Sequence, residues 1–435
     1  MRVDKAREIA LKCLYKVEKQ EAYSNIILDK EIEKNREFLN MKDIGLISEL
    51  VYGVTTWKLT IDYIIQKYSK IKLKKISDWI INILRIGVYQ IIFLDKIPKS
   101  AAVNESVILT KKYGIKSVNF VNAILRKIDK DDFEEVKNIK DAKQRISIST
   151  SMPLWIVEEL SKYHKLEEVE KICLDSNLKP DTTIRINKLK ISKEDFIKKL
   201  KEMDIDYEEC ELENFLKLKK LKNISNLELF KKGYFTIQDE SAGLPAVVLN
   251  PKKKECILDA CSAPGGKTTQ MAEMMENEGE IIAWDLYKER LSLVKQNAER
   301  LGIKIIKTEE KNSSKLDEKY IEKFDKILLD VPCLGIGVIR RKPDIKWKRK
   351  KEDINEICKI QLEILHTCSK YLKKGGCLVY STCSILEEEN QKIIEKFIKN
   401  GKFKLSNIGE KSCGSITRYP NKNYDGFFVC KLEKL

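Results

Sequence analysis

Glycine and proline are spread so unevenly along these 435 residues that the chain must combine two kinds of fold. The first 97 residues hold no proline, and no glycine lies between Ile115 and Lys232; from Gly233 onward come 14 of the 18 glycines and six of the nine prolines. Proline breaks helix interiors and glycine supplies the backbone freedom of tight turns. The early part is therefore predicted to be helical and the last part rich in turns.

Within the helical part, Leu46, Ile47, Leu50, Val51, Val54 and Trp57 recur at three- and four-residue steps. So do Trp79, Ile80, Ile83, Leu84, Gly87, Val88, Ile91 and Ile92. Both are stripes that face a core, and the pattern continues through AAVNESVILTKKYG and VNFVNAILRKI. An all-α bundle is predicted for residues 1–130. Residues 131–232 mix charged helical runs with short apolar stretches such as TTIRINKLK and FLKLKKL, read as a connector and a small α/β subdomain. Residues 233–435 alternate short apolar runs with amphipathic helices: ECILDA, GEIIAWDL, KIIKTEE, FDKILLDVPC, GGCLVYSTC and FFVCKL. That alternation predicts a doubly wound, mainly parallel, Rossmann-like α/β domain whose ligands bind beyond the carboxyl ends of the strands.

Composition narrows the partner. Lysine and arginine outnumber aspartate and glutamate by 83 to 67, a net charge of +16, which favours a polyanion and nucleic acid ahead of membrane. The amino terminus has the spacing of an amphipathic helix rather than a signal peptide. The apolar stretch from Ile76 to Leu94 is interrupted by Asp78, Asn82, Arg85 and Gln90, so a cytoplasmic protein is expected, with no membrane span. Nothing in the length calls for assembly, and a monomer is expected. Twelve cysteines show no C-x-x-C spacing and only His164 and His366 accompany them, so no metal site is expected.

Two places carry chemistry. The first predicted strand runs into Asp259-Ala-Cys-Ser-Ala-Pro-Gly-Gly-Lys-Thr268, a glycine turn that opens a helix, and Asp285 ends the next strand 19 residues after Gly266. A helix amino terminus offering N–H groups, with a carboxylate placed for ribose hydroxyls, points to a nucleoside-containing cofactor. A Walker A loop needs glycine where Cys261 stands, and G-x-G-x-x-G is absent. Farther on, Asp330-Val-Pro-Cys333 closes the fourth strand and Ser381-Thr-Cys383-Ser the fifth, so parallel pairing is expected to bring both thiols to one rim. Carbon 5 of cytosine is a poor nucleophile until a thiolate adds at carbon 6, and such chemistry needs a cysteine, a carboxylic acid at N3 and a base.

These residues resemble the RsmB (Sun) family of RNA cytosine-5 methyltransferases along nearly the whole chain. The resembling blocks are FTIQDESAGLPAVVL, LDACSAPGGKTT, FDKILLDVPCLGIGVIRRKPDIKW, LVYSTCSILEEEN and DGFFVCKL. In the amino-terminal part AYSN, LVYGVTTW, LRIGVYQIIFLDKIP, AAVNESV and VNAILRKI resemble that family's NusB-like helical domain. The resemblance implies methyl transfer from S-adenosyl-L-methionine to small-subunit (16S) ribosomal RNA, at cytosine 967. It implies Cys383 as nucleophile, Cys333 as the cysteine assisting product release, Asp330 at N3, and Lys267 beside them. Cys261, Ser262, Ala263, Pro264, Gly265, Gly266, Lys267, Asp285, Arg290 and Asp330 would hold the cofactor. The family's adenine-side aspartate is replaced in KTEEKNSS by Glu310, with Glu309 as its rival.

DNA cytosine-5 methyltransferases attack with the cysteine of Pro-Cys, which would be Cys333; Thr-Cys383 and the helical domain favour the RNA arrangement. A transfer-RNA cytosine-5 methyltransferase and a non-enzymatic RNA-binding or ribosome-assembly factor stand as alternatives, the intact set Cys383, Cys333, Asp330 and Lys267 arguing for activity. The run Arg340 to Lys351, RRKPDIKWKRKK, has eight basic residues in twelve and reads equally as a phosphate clamp in which Trp347 stacks or packs and as a solvated helix start around a buried tryptophan. On the clamp reading, RNA affinity measured by filter binding is expected to fall steeply as salt rises; an affinity indifferent to salt would remove that reading.

Overall fold

Six helices build the amino-terminal bundle: α1 (Lys5–Lys19), α2 (Ser24–Lys34), α3 (Met41–Tyr68), α4 (Asp78–Phe93), α5 (Lys99–Tyr113) and α6 (Val118–Lys127). The computed structural model describes residues 3–20, 22–219, 224–409 and 414–435. Local chemistry starts these helices where the stripes begin: Asp4 caps α1 by accepting the Arg7 N–H at 2.8 Å, and Asn40 and Asp43 form a reciprocal capping box on α3. Helix α4 is buried on all sides from Ile80 to Ile92. Of the polar residues that interrupt its sequence, Asn82, Arg85 and Gln90 are therefore inside the bundle, while Asp78 in the first turn stays partly exposed. Arg85 makes paired bonds to Asp62 at 2.7 and 2.8 Å and a third to Glu18 at 2.6 Å, Asn82 also reaches Glu18, and Gln90 accepts from Arg7. Each of these three buried side chains finds a partner, as a low-dielectric interior requires. No helix among the described residues is long and apolar enough to cross a membrane.

Helix α3 is kinked at Trp57, whose ψ is 15°. The i to i−4 bond that Leu59 would donate to Thr55 is replaced, because the Leu59 N–H goes to Ser151 Oγ at 3.0 Å. The Thr55 and Thr56 carbonyls turn to other donors: Trp347 Nε1 at 2.7 Å and Lys346 Nζ at 3.0 Å. Lys346 Nζ also donates to Asn177 Oδ1 at 2.6 Å, and Asp344 accepts from the N–H and hydroxyl of Ser24. By its contacts the segment Ile339–Lys351 belongs with Met1–Asn177 as one unit, and Leu178–Val338 with Glu352–Leu435 form the other.

The phosphate-clamp reading is corrected at its centre. Lys346 is 1% exposed and satisfies backbone and amide oxygens, while the Trp347 N–H is spent on the α3 kink. A broken helix leaves carbonyls that must be hydrogen-bonded, a demand that a run of basic residues does not reveal.

In the second unit, β1 (Thr182–Ile186), β2 (Tyr207–Glu209), β3 (Phe215–Leu218) and β4 (Phe235–Ile237) form an antiparallel sheet in the order β2-β3-β1-β4, backed by the helix Lys193–Glu202. This is the small α/β subdomain, and the predicted apolar stretches TTIRINKLK and FLKLKKL supply β1 and β3, the last residues of the second stretch lying outside the described ones. The larger sheet contains β5 (Cys256–Asp259), β6 (Glu280–Asp285), β7 (Ile306–Glu310), β8 (Phe324–Asp330), β9 (Leu372–Thr382), β10 (Phe403–Leu405), β11 (Ser415–Arg418) and β12 (Phe427–Lys434). Its order is β7-β6-β5-β8-β9-β12-β10, with β11 also on β12. Strands β5 to β9 pair in parallel, whereas β12 runs antiparallel to β9, β10 and β11, which makes the sheet mixed at one side.

Successive strand residues face opposite sides. Ile257, Leu328, Val379 and Val429 pack under helices Glu240–Leu249 and Gly266–Met274. Leu258, Leu329, Tyr380 and Phe428 pack under Asp353–Cys368 and Gln391–Ile398. With helices on both faces, the carboxyl-end rim of β5 to β9 is where such a sheet builds a site.

Burial without a carboxylate partner lowers the Lys346 ammonium from 10.5 to about 7. Below pH 7 the amine is protonated in both folded and unfolded chains; between 7 and about 10 the unfolded chain alone holds the proton, so stability rises with pH across that window. Urea denaturation of the wild type and Lys346→Met at several pH values checks this: the difference in their slopes should appear between pH 7 and 10 and vanish below 7.

Candidate functional site

The parallel register of β8 and β9 sets Asp330 opposite Ser381. Three residues beyond Asp330 stands Cys333, two beyond Ser381 stands Cys383, and their sulfurs lie 2.9 Å apart. Both thiols are part-buried. Asp330 is fixed on both oxygens, Oδ1 accepting from Ser381 Oγ at 2.9 Å and Oδ2 from Lys267 Nζ at 2.7 Å. Lys267 comes from the first turn of the helix Gly266–Met274 and also lies over the Phe427 ring, 5.2 Å from its centre. Catalytic candidates separated by more than a hundred residues in sequence thus converge on one rim, as a hydrogen-bonded pair of thiols and a hydrogen-bonded Lys267–Asp330 pair.

Charge at this rim follows from the geometry. Burial works against the Lys267 ammonium, but Asp330 more than offsets it and the pKa is raised. Cys333 is held well above the usual thiol range by its hydrogen bond with Cys383, by burial, and by the nearby carboxylates of Glu389 and Asp330. It is therefore a thiol near neutral pH. Cys261, one turn before the helix, is likewise pushed well up, mainly by burial.

The cofactor loop sits at the carboxyl end of β5. Gly265 has φ of +102°, and a Cβ there would also press on Val294 at 3.1 Å, so the turn into the helix tolerates glycine alone. Ser262 N–H and hydroxyl both donate to the Trp284 carbonyl, and the Gly265 N–H closes back on Ser262. Asp285, 4% exposed at the end of β6, accepts from the Ala263 N–H at 3.3 Å, the Tyr287 N–H at 3.2 Å and Arg290 at 3.3 Å, while Arg290 also donates to the Ala263 carbonyl. Pro264 is held through its carbonyl by Asn297 at 3.0 Å. At the end of β5, Asp259 is buried; burial raises its carboxyl to about 7 against the Thr268 hydroxyl bonded to Oδ2, and Oδ1 is buried with no partner.

The two glutamates of β7 separate cleanly. Glu310 is exposed and pairs in register with Asp285, so the two share one face of the sheet, whereas Glu309 accepts from the Trp284 indole at 3.2 Å and from Tyr320 at 2.5 Å. All the loop residues, Asp285, Arg290, Glu310 and the Cys–Asp–Lys set thus lie along one rim of the sheet.

One contributor was not visible as such in the sequence. Arg185, in the middle of β1, is 3% exposed and donates to both oxygens of Glu273 at 3.0 and 2.8 Å, to Thr269 Oγ1 at 3.0 Å and to the Gly266 carbonyl at 2.8 Å, as well as to Gln238. It ties the small sheet to the first turns of the helix that carries Lys267. The only sequence signal was an arginine inside the short apolar run TTIRI.

Three family models match the chain. The 16S rRNA methyltransferase RsmB/F model covers residues 246–433, the NusB family residues 4–130, and the RsmF/B-like ferredoxin-like domain residues 152–225. The probable ribosomal RNA small subunit methyltransferase B of Bacillus subtilis is 38% identical over 449 residues, with both chains covered in full. Among solved structures, PH0851 is similar with a TM-score of 0.82 at 27% identity over the whole of both chains. NSun6 from Pyrococcus horikoshii, solved with SFG, is similar with a TM-score of 0.58 at 27% identity over 68% of this chain and 98% of its own.

Replacing Arg185 by methionine strands Glu273 as a buried, uncompensated charge. A loss of about 3–5 kcal/mol is expected in urea denaturation of the full chain, with Arg185→Met/Glu273→Met recovering most of it. Equal losses in the single and double variants would show that the pair is not the origin of the effect.

Proposed function

The chain belongs to the 16S rRNA methyltransferase RsmB/F family, and from that premise we propose that it methylates carbon 5 of a cytosine, cytosine 967 of 16S rRNA, through a covalent cysteine adduct. The observation that carries this reading is the pair of thiols 2.9 Å apart beside the Asp330–Lys267 ion pair. S-Adenosylmethionine is the cofactor, and it supplies an electrophilic methyl group. The residues present suit it: the glycine turn opens the backbone, Asp285 and Glu310 on one face of the sheet would hold the nucleoside end, and the orphan Oδ1 of Asp259 is an acceptor that an amino group would satisfy.

In the proposed sequence the Cys383 thiol gives up its proton to a base and the thiolate adds to carbon 6 of the cytosine. Asp330, oriented by Ser381 and Lys267, meets the N3 edge, and the Lys267–Asp330 pair delivers the proton that N3 gains as the ring loses its aromatic character. Carbon 5 then carries the new methyl group and its original hydrogen. Loss of that proton to a base re-forms the double bond and expels the sulfur of Cys383, which the Cys333 thiol protonates, while N3 returns its proton to the Lys267–Asp330 pair and Cys333 regains one from solvent. The amino-terminal residues 1–130 are assigned to RNA binding, 131–232 to the connector and subdomain, and 233–435 to catalysis, in a protein acting as a cytoplasmic monomer.

Methyl transfer to ribosomal RNA by Cys383→Ala is expected to be abolished, whereas Cys333→Ala should accumulate a protein–RNA adduct on denaturing gels. An adduct trapped by Cys383→Ala instead would exchange the two roles. Bisulfite sequencing of RNA from cells with and without the gene should lose one protected cytosine in 16S rRNA; a change confined to transfer RNA would move the substrate, and no change at all would end the enzyme reading.

A further inference from the structure

Behind the two cysteine loops lies a group of buried polar side chains that the proposed reaction does not use, and at its centre is Glu389. This residue is fully buried, with 0% exposure, and ends the short turn Glu387–Glu389 that follows β9. Its Oε2 accepts from the Leu334 N–H at 2.9 Å and from Gln361 Nε2 at 3.0 Å, and that same Gln361 nitrogen donates to the Pro332 carbonyl at 3.0 Å. Pro332 and Leu334 are the two chain neighbours of Cys333. The other oxygen, Oε1, accepts from the hydroxyl of Ser384, which follows Cys383. Asn390 completes the grip, accepting from Thr382 Oγ1 at 2.6 Å and donating to the Ser384 carbonyl at 3.0 Å, so that Cys383 too is held through both neighbours.

We propose that Glu389 is a positioning residue for the thiol pair, its carboxylate locking the loops of Cys333 and Cys383 together and setting the charge that Cys333 faces. The chemistry of the acceptor fits this role. The Leu334 N–H, Gln361 Nε2 and Ser384 hydroxyl, from three separate segments, converge on its two oxygens, and an acceptor-only carboxylate satisfies them together, whereas an amide would turn an NH2 onto one donor. A neutral hydrophobic residue of the same size would leave the Leu334 N–H and the Ser384 hydroxyl buried without partners. The negative charge also counts among the causes, after Cys383 and burial, that keep Cys333 protonated. The same side chain therefore fixes the distance between the thiols and favours the protonation state in which Cys333 hands a proton to Cys383.

The inference rests on the cysteine chemistry proposed above, but its first readout needs no turnover. In the full-length protein carrying Cys383→Ala, the rate at which iodoacetamide alkylates Cys333 is followed against pH by mass spectrometry of the peptide that contains it. Adding Glu389→Gln removes one buried negative charge and is expected to move the midpoint down by roughly one pH unit, quickening alkylation at neutral pH about tenfold. Adding Glu389→Asp instead keeps the charge and should leave the midpoint near that of the parent. In the otherwise native chain, Ser384→Ala deletes a single hydroxyl and should cut kcat for methylation about tenfold with KM for S-adenosylmethionine unchanged, because the cofactor loop is untouched. An unchanged midpoint in Glu389→Gln overturns the electrostatic part, and full turnover in Ser384→Ala overturns the positioning part. Full activity of Cys383→Ala alone would instead sink the cysteine reading, leaving the alkylation result to stand by itself.

Discussion

The pairing of β8 with β9 is the constraint on which the rest of the site depends. Parallel neighbours lie about 4.8 Å apart, and residues opposite one another point to the same face. With Asp330 opposite Ser381, the hydroxyl reaches the carboxylate and the two loops leave the sheet side by side, so Cys333 and Cys383 meet. A slip of one residue would send one strand's side chains to the other face. Both strands are buried in the middle of the sheet, and their alternating apolar residues pack under different helices, which makes such a slip costly.

Around that pairing the charges are arranged in partnered sets. Lys267 and Asp330 stabilise each other at the rim, Arg185 and Glu273 join the small sheet to the helix behind it, and Glu389 gathers donors from both cysteine loops. The Arg185–Glu273 pair and Glu389 are buried and the Lys267–Asp330 pair is partly buried, where an unpaired charge costs several kcal/mol and one with full hydrogen bonding is sustained. The consequence is rigidity where the chemistry needs it: the lysine, the aspartate and the thiols have few alternative positions available.

In the helical unit the organising event is the kink of α3 at Trp57. The chain leaves the sheet domain after Val338, supplies Lys346 and Trp347 to the freed carbonyls of Thr55 and Thr56, and resumes at Glu352. A segment that reads as a basic surface run is in part an internal fastening. Its lysine is buried because two oxygens there lack donors, and its tryptophan is turned by the same need.

Much of this molecule is set by local sequence. Helical periods predict the bundle, the alternation of apolar runs predicts the strands β5 to β9, and the glycine turn after Asp259 marks the loop at the end of β5, because period, turn chemistry and capping act over a few residues. The cysteines could be narrowed from twelve to two by their place at strand ends. Other features belong to the tertiary structure alone. The antiparallel insertion of β12 beside β9, the choice of Glu310 over Glu309 for the face of Asp285, the reach of Arg185 from β1 to the Lys267 helix, the burial of Lys346 and the grip of Glu389 on both cysteine loops all join residues far apart in the chain. Sequence spacing carries no record of which buried donor will lack an acceptor. That is settled only when the packed elements remove water and each polar group must find its partner within the protein.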